Sequence, residues 1–369
     1  MTILTAEQQR ALVQWKKLLG EAGLERVLVR DAGSEPAQTP ERLQPLVRLF
    51  GEGQSVVKSE FDACVPEEVR ATVEELGLVP RVADTGLVPP FEDRVAARYR
   101  LVFHLGLWLF CEWKSPTAKF YYGNDSLLLS RTLDGAVAGN ALDLCSGVGT
   151  QALVCARTAT RVTAVEIEPL AAKLFWVNAA MNGLSDKLEL INGNLLDPVA
   201  GRKFDVISCN PPFMPVPPGV RYPRFGDGGG DGLDIVRRLM AGLPDTLAPG
   251  GRCEVIAAVL GNRERPDLAP FQKMAADSRL AIIVDCCTRD ELEGETMKRL
   301  VALSTMEGAG GKDVFDSRKI EEAYRRHFAS LGATHLYCYV LHATQSPCPM
   351  MCASYRDDAS NSVWMTPVG

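Results

Sequence analysis

The stretch DLCSGVGT, residues 143–150, closes a short apolar run at Ala141–Cys145 and passes through two glycines into a helical pattern at Gln151–Thr158. Glycine suits such a turn because it adopts positive φ freely and lets a ligand approach the backbone where a side chain would stand in the way. A strand, a glycine turn and a helix in succession form the binding unit of doubly wound sheets. Extended to Ala152 the stretch satisfies G-x-G-x-x-A, with Glu166 following at about the interval of a ribose-binding carboxylate, which keeps NAD among the candidate ligands. Asp143 points away from NAD: a carboxylate ahead of the turn repels a pyrophosphate and attracts an ammonium group.

Outward from this stretch the chain repeats the same rhythm. Ala141–Cys145, Arg161–Glu166, Lys187–Asn192, Phe204–Cys209 and Arg252–Leu260 are apolar runs rich in Val, Ile and Leu, and helical patterns at Gln151–Thr158, Pro169–Asn182 and Leu233–Leu247 separate most of them. Such alternation predicts a parallel sheet covered on both faces. Ligands then bind beyond the carboxyl ends of the strands, where the strand order reverses.

Before about residue 115 the pattern differs. Ala6–Leu19, Glu41–Phe50 and Pro66–Leu76 carry apolar residues at helical spacing, Pro66 suiting a first helical turn, and Arg94 to Trp113 reads as strand with a break at Gly106. Residues 1–115 are therefore read as a small, mainly helical cap or substrate domain with a β-hairpin, 116–345 as the catalytic domain and 346–369 as a poorly anchored tail. The 369 residues suit one large domain plus a smaller one.

Composition narrows the function classes. With 40 Lys+Arg against 46 Asp+Glu the net charge is −6, so no overall positive field is available for DNA or RNA. The 11 cysteines include no C-x-x-C pair, no signal peptide is recognised, and Cys145, Cys209 and Cys253 lie in apolar runs, a usage that predicts reduced, packed thiols and a cytoplasmic protein. Cys348 and Cys352 have no histidine beside them, and no metal is assigned to them. The most apolar stretch, Leu101–Phe110, is too short for a membrane span of about 20 residues.

The fourth strand ends unusually. Phe204–Cys209 stops on Asn210-Pro211-Pro212-Phe213, and a long loop rich in Pro and Gly, Pro215–Gly232, follows. Asp143–Thr150, Val165-Glu166, Gly193-Asn194-Leu195, Asn210–Phe213 and Gly229-Gly230-Asp231-Gly232-Leu233-Asp234 stand in the order and spacing of class I S-adenosylmethionine-dependent methyltransferases. The chain resembles most the branch that includes the release-factor glutamine N-methyltransferases and the guanine- and adenine-N-methylating enzymes, over residues 118–345. The resemblance implies an α/β fold with a doubly wound, Rossmann-like, seven-stranded sheet and S-adenosylmethionine as methyl donor or substrate. It assigns Asp143, Cys145, Gly147 and Gly149 to the methionine end of that molecule, Glu166 to its ribose, Ile167 to its adenine face, and Asn194 with Leu195 to the adenine edge. Asn194 stands where the family usually has Asp.

A delocalised amide, aniline or nucleobase nitrogen is a poor nucleophile, so a site must hold its N–H groups and align its lone pair. The Asn210 side-chain oxygen and the Pro211 carbonyl are two such acceptors, the latter presented outward because proline cannot continue the ladder. Phe213 can stack on a flat substrate. In the segment Phe120–Ser126, Tyr121 and Tyr122 can face a sulfonium, since a cation is attracted to an aromatic face. The long loop after the motif reads as a substrate lid, with Arg221 and Arg224 on hand for an anionic substrate.

Three acceptor classes follow. An acidic chain with a capped pocket favours a small metabolite or carrier-bound intermediate as partner; a protein glutamine or an rRNA nucleobase is the alternative of the same chemistry. Azetidine-2-carboxylate synthases are similar in sequence, and there Asn210 with Tyr121 or Tyr122 would hold the amine of S-adenosylmethionine itself for ring closure, releasing methylthioadenosine.

Overall fold

The computed structural model describes residues 4–28, 39–82, 93–113, 122–135, 137–309 and 316–354. Helix α1 (Ala6–Glu21) begins with a capping box: the Gln8 N–H donates to the Thr5 hydroxyl and the Gln8 carboxamide oxygen accepts the Thr5 N–H. Leu12, Trp15 and Leu19 share one face of it and are fully buried. Helices α2 (Lys58–Cys64) and α3 (Glu67–Glu75) follow, Pro66 standing as the N-cap of α3 rather than within its first turn. The helical pattern over 41–50 resolves into short 3-10, α and π turns across Glu41–Gly51.

The strand-like stretch is a hairpin, β1 (Arg100–His104) and β2 (Leu107–Cys111). Leu105 and Gly106 between them both have positive φ, 49° and 83°, the turn geometry that matches the right-handed twist of paired strands. Leucine rarely adopts this conformation, and Arg157 stabilises it by donating to the Leu105 carbonyl at 2.8 Å.

Helix α4 (Asn124–Leu133) leads into the sheet, formed by β3 (Asn140–Leu144), α5 (Thr150–Ala156), β4 (Arg161–Glu166), α6 (Ala171–Met181), β5 (Leu188–Asn192), β6 (Phe204–Cys209), α7 (Asp234–Thr246), β7 (Leu247–Gly261), α8 (Ala269–Ser278), β8 (Leu280–Glu291), α9 (Gly294–Ala309), α10 (Ser317–Ser330), β9 (His335–Gln345) and β10 (Met350–Ser354). Strand order is β10-β8-β9-β7-β6-β3-β4-β5. The strands from β5 to β7 are parallel, and β9 enters antiparallel between β7 and β8. This is the expected doubly wound α/β sheet, with eight strands rather than seven. The addition is β10, which pairs in parallel with β8 from within the segment expected to be a loose tail.

Alternation along the strands divides the core. Leu142, Leu144, Ile207, Cys209, Cys253 and Val255 face a cluster that includes Leu239 and Met240 of α7 and Phe271 of α8. Ala141, Val206 and Ile256 face the other side, whose cluster runs continuously through Leu153 and Phe175 into Leu12, Trp15, Phe50 and Phe110 of the N-terminal part. Trp15, Phe50 and Phe110 meet edge to face at 5.7 and 5.9 Å. The first hundred residues thus share their core with the sheet.

Two asparagines complete the hairpin. Asn178 on α6 and Asn182, its C-cap one turn on, each take a backbone N–H of β2 on the side-chain oxygen and return an amide N–H to the same residue's carbonyl: Asn178 to Phe110 at 2.7 and 3.0 Å, Asn182 to Trp108 at 3.1 and 2.7 Å. The carboxamides stand in for a neighbouring strand. Among the described residues, no helix is long and apolar enough to cross a membrane.

Candidate active site

At the end of β3, Asp143 is 1% exposed, with Oδ1 accepting from the Ser208 hydroxyl at 2.7 Å. Its Oδ2 accepts from the Ser146 hydroxyl at 2.7 Å and the Ala152 N–H at 3.0 Å. Burial lifts its pKa to about 6, against the pull of these donors. The expectation was a carboxylate facing a ligand's methionine end; the structure turns it inward, where it ties β3 to β6 and to the start of α5. Cys145, at φ 55°, packs against the apolar cluster that contains the buried Cys209.

The two glycines of the turn do different work. Gly149 (φ 92°) is the N-cap of α5, and a Cβ there would stand 2.8 Å from the Phe175 ring, so its absence serves packing. Gly147 (φ 53°) has nothing within 4 Å of the same position, so the backbone here borders open space. Its N–H donates to Glu166 Oε2 at 2.7 Å, while Glu166 Oε1 accepts from the Glu168 N–H at 2.8 Å. Burial raises the Glu166 pKa, and the backbone donors oppose the rise. Ile167, the next residue, is 45% exposed, an apolar face at the strand end.

Asn192 caps this corner by donating to the Glu166 and Ile167 carbonyls at 3.0 and 3.2 Å. Asn194 closes the turn after β5, its carbonyl accepting from the Asp197 N–H and its side-chain oxygen lying 3.5 Å from Arg238 Nη1. Leu195 is buried at φ 48°.

At the end of β6, Asn210 is half-buried and Pro211 buried. Asn210 Nδ2 donates to Asp125 Oδ2 at 2.8 Å and reaches the Ser126 hydroxyl at 3.3 Å, both in the first turn of α4. Tyr122 does not join it. Its hydroxyl lies 2.8 Å from His104 Nδ1 beneath the hairpin, and burial raises the phenol's pKa and lowers that of His104 to about 4. The expected cluster of Asn210 with Tyr122 is therefore absent, and Tyr121 lies outside the described residues. Phe213 is half-buried between two apolar clusters.

The loop after the motif is pinned. Met214 N–H donates to the Gly226 carbonyl at 2.8 Å, Gly228 N–H to the Met214 carbonyl at 3.0 Å and Val216 N–H to the Gly229 carbonyl at 2.8 Å. A Cβ on Gly228 or Gly232 would meet the Phe213 backbone at 2.8 and 2.5 Å. His327 of α10 holds the Gly230 carbonyl at 2.6 Å and Tyr222 is buried. The expected lid is thus closed down on the Phe213–Pro215 backbone, with Arg221 and Arg224 exposed.

The strand ends bring Asp143, Cys145, Gly147, Gly149, Glu166 and Ile167 to one edge, with Asn210 beside them on the neighbouring strand. Sequence reasoning missed Asp125, Ser126 and Asn192. Asn124-Asp125-Ser126 was visible as a run of helix-starting residues, yet nothing in its spacing pairs it with a residue 85 positions on.

A mostly parallel sheet whose first glycine turn meets a carboxylate from the second strand, with an Asn-Pro-Pro-Phe exit on the fourth, defines a nucleoside-binding α/β domain. Residues 122–265 match the family model described as Methyltransferase small domain. The release factor glutamine methyltransferase of Rhodospirillum rubrum is 30% identical over 266 residues, 64% of this chain and 80% of that protein. The ribosomal protein uL3 glutamine methyltransferase of Bordetella pertussis is 33% identical over 195 residues, 48% of this chain and 63% of that protein. The release factor glutamine methyltransferase of Moorella thermoacetica is 37% identical over 129 residues, 32% of this chain and 46% of that protein. The chain thus spans less than two thirds of the length of two of these curated relatives. It belongs to the class I S-adenosylmethionine-dependent methyltransferases, in the group that contains the glutamine N-methyltransferases.

Proposed function

We propose that this protein methylates a primary amide or amine nitrogen, and that a glutamine side-chain carboxamide, the group named for its relatives, is the acceptor class they favour over a free metabolite. The observation that carries the reading is the direction of the Asn210 carboxamide. With Nδ2 engaged by Asp125 and Ser126, its oxygen is left for an incoming N–H₂.

The residues present suit S-adenosylmethionine. Gly147 leaves room for close approach of the methionine part, Glu166 has lone pairs remaining for two ribose hydroxyls, and Ile167 offers adenine an apolar face. When bound, the cofactor supplies an electrophilic methyl group whose C–S electron pair stays on sulfur as the nitrogen lone pair forms the N–CH₃ bond. The protein's part is to hold the nitrogen. Asn210 Oδ1 and the Pro211 carbonyl accept its two N–H groups and turn the lone pair outward, and most of the acceleration comes from this placement. No strong base is required, because the nitrogen becomes cationic and its proton is then acidic.

Incubation with methyl-labelled S-adenosylmethionine tests this. Label is expected in glutamine of an added protein fraction, with S-adenosylhomocysteine formed only in its presence. Asn210→Ala should lower transfer by about 10²- to 10³-fold, the scale of losing one oriented polar contact in a reacting site, while S-adenosylhomocysteine binding changes little. Methylthioadenosine formed without any acceptor would replace the proposal by cyclisation of the cofactor.

A further inference from the structure

We propose, building on the reading above, that Asp125 is a positioning residue that turns the end of β6 into a pocket selective for a cationic nitrogen. Asp125 is 1% exposed, in the first turn of the ten-residue helix α4, where the positive end of the helix acts in favour of a carboxylate's charge and burial acts against it. Its Oδ2 takes the Asn210 amide N–H at 2.8 Å. An ionised carboxylate only accepts, so this contact fixes which way round the Asn210 amide sits.

It also does something a neutral acceptor would not. An amide that donates to an anion carries more negative charge on its own oxygen, because hydrogen bonds in series polarise one another. The nitrogen facing Asn210 Oδ1 then meets the near end of a chain that finishes in a full negative charge. That favours a nitrogen gaining positive charge over an uncharged one. Ser126 supports the geometry without the charge: its hydroxyl is 3.3 Å from Asn210 Nδ2, and its carbonyl is held by the Gln151 amide at 3.0 Å and the Ser130 hydroxyl at 2.7 Å. The helix start is thereby fastened to α5, the helix that follows the glycine turn.

Two cofactor analogues read this without any acceptor. Sinefungin carries a protonated amine where the cofactor carries its methyl group, and S-adenosylhomocysteine carries nothing there. Calorimetry on the full chain should show the wild type binding sinefungin more tightly than S-adenosylhomocysteine. In Asp125→Asn, which keeps the size of the side chain, that preference should shrink by about tenfold, the scale of losing one close charge, with S-adenosylhomocysteine affinity unchanged. In an Asn210→Ala background the same substitution should have no further effect on the preference, as expected of a residue acting through Asn210.

An unchanged preference in Asp125→Asn overturns the inference, as does an equal loss with and without Asn210. Should Asp125→Asn fail to fold, Ser126→Ala decides: it should retain the preference, and losing it would assign the effect to the hydroxyl and overturn the role of the carboxylate. Failure of both analogues to bind the wild type would instead remove the cofactor reading on which the inference rests.

Discussion

At the ends of β3 and β4 the carboxylates grip backbone N–H groups close by in sequence, whereas at the end of β6 Asn210 is gripped by side chains more than eighty residues upstream. Glu166 takes the N–H of Glu168, two residues on, and of Gly147, nineteen back; Asp143 takes that of Ala152, nine on. Asn210 leans on Asp125 and Ser126, separated by 85 and 84 positions. The nucleoside side is mostly a local construction in which groups set their own turns, with the Ser208 hydroxyl on Asp143, 65 positions away, added as a long-range tie. The acceptor side exists only once α4 has packed against the end of β6.

The largest effect should come from the local half. Gly149→Ala places a methyl group 2.8 Å from Phe175 at φ 92°. Left-handed backbone costs about 1–2 kcal/mol and overpacking about 1–3, so a loss of about 3–4 kcal/mol is expected in denaturant unfolding. Gly147→Ala meets no atom within 4 Å and should lose only the backbone share, about 1 kcal/mol. Its S-adenosylhomocysteine affinity should fall further than its stability, because the new methyl group occupies the space a ligand needs. Equal losses of stability in the two variants would break the division between packing glycine and ligand glycine.

The same division explains what could be read in advance. The glycine turn, the Glu166 carboxylate and the five parallel strands are legible because each rests on short spacing and on buried runs such as Phe204–Cys209, and the observed bounds fall within a few residues of those expected, except at β7, which begins five residues early. Asp143 was legible as important but not in its direction, since a strand-end carboxylate has the same spacing whether it faces a ligand or two serines. Tyr122 was misplaced because an aromatic beside a binding segment looks alike in sequence whether it faces the cleft or a histidine. Asp125 and β10 depend on long-range packing, which composition and period do not encode.

Beneath the hairpin the next effect is pH-dependent. His104, 1% exposed, has its pKa lowered to about 4 by burial, against about 6.5 in an unfolded chain. Its contribution is present above pH 6.5 and lost as pH falls toward 4, because the unfolded state takes the proton first; the full span is worth about 3 kcal/mol. His104→Asn keeps a group that can hydrogen-bond Tyr122 and removes the titration. The stability difference between wild type and variant should therefore narrow by up to that amount between pH 7 and pH 4. Asp143, with its pKa raised to about 6, runs the other way, its ionisation weakening the fold as pH rises from about 4 to 6, and it cancels because both proteins carry it. A difference independent of pH would mean that His104 is not held neutral beneath the hairpin.

The smallest effects test whether the two halves communicate. Asn178 and Asn182 hold the hairpin in the same way, but Asn178 also donates to the Val148 carbonyl, between the two glycines, at 3.0 Å. Asn178 is fully buried and Asn182 half-buried. Deleting a carboxamide strands its backbone partners at about 1–3 kcal/mol for a buried group, so Asn178→Ala should cost about 2 kcal/mol and Asn182→Ala about 1. Only the first should also weaken S-adenosylhomocysteine binding, because only it releases the glycine turn. If both variants weaken binding alike, the hairpin governs the nucleoside side through the whole of α6, and the turn is less local than its spacing implies. If neither does, the turn is held without Asn178, by Glu166 and Asp143, and the asparagine contacts serve the fold of the hairpin only.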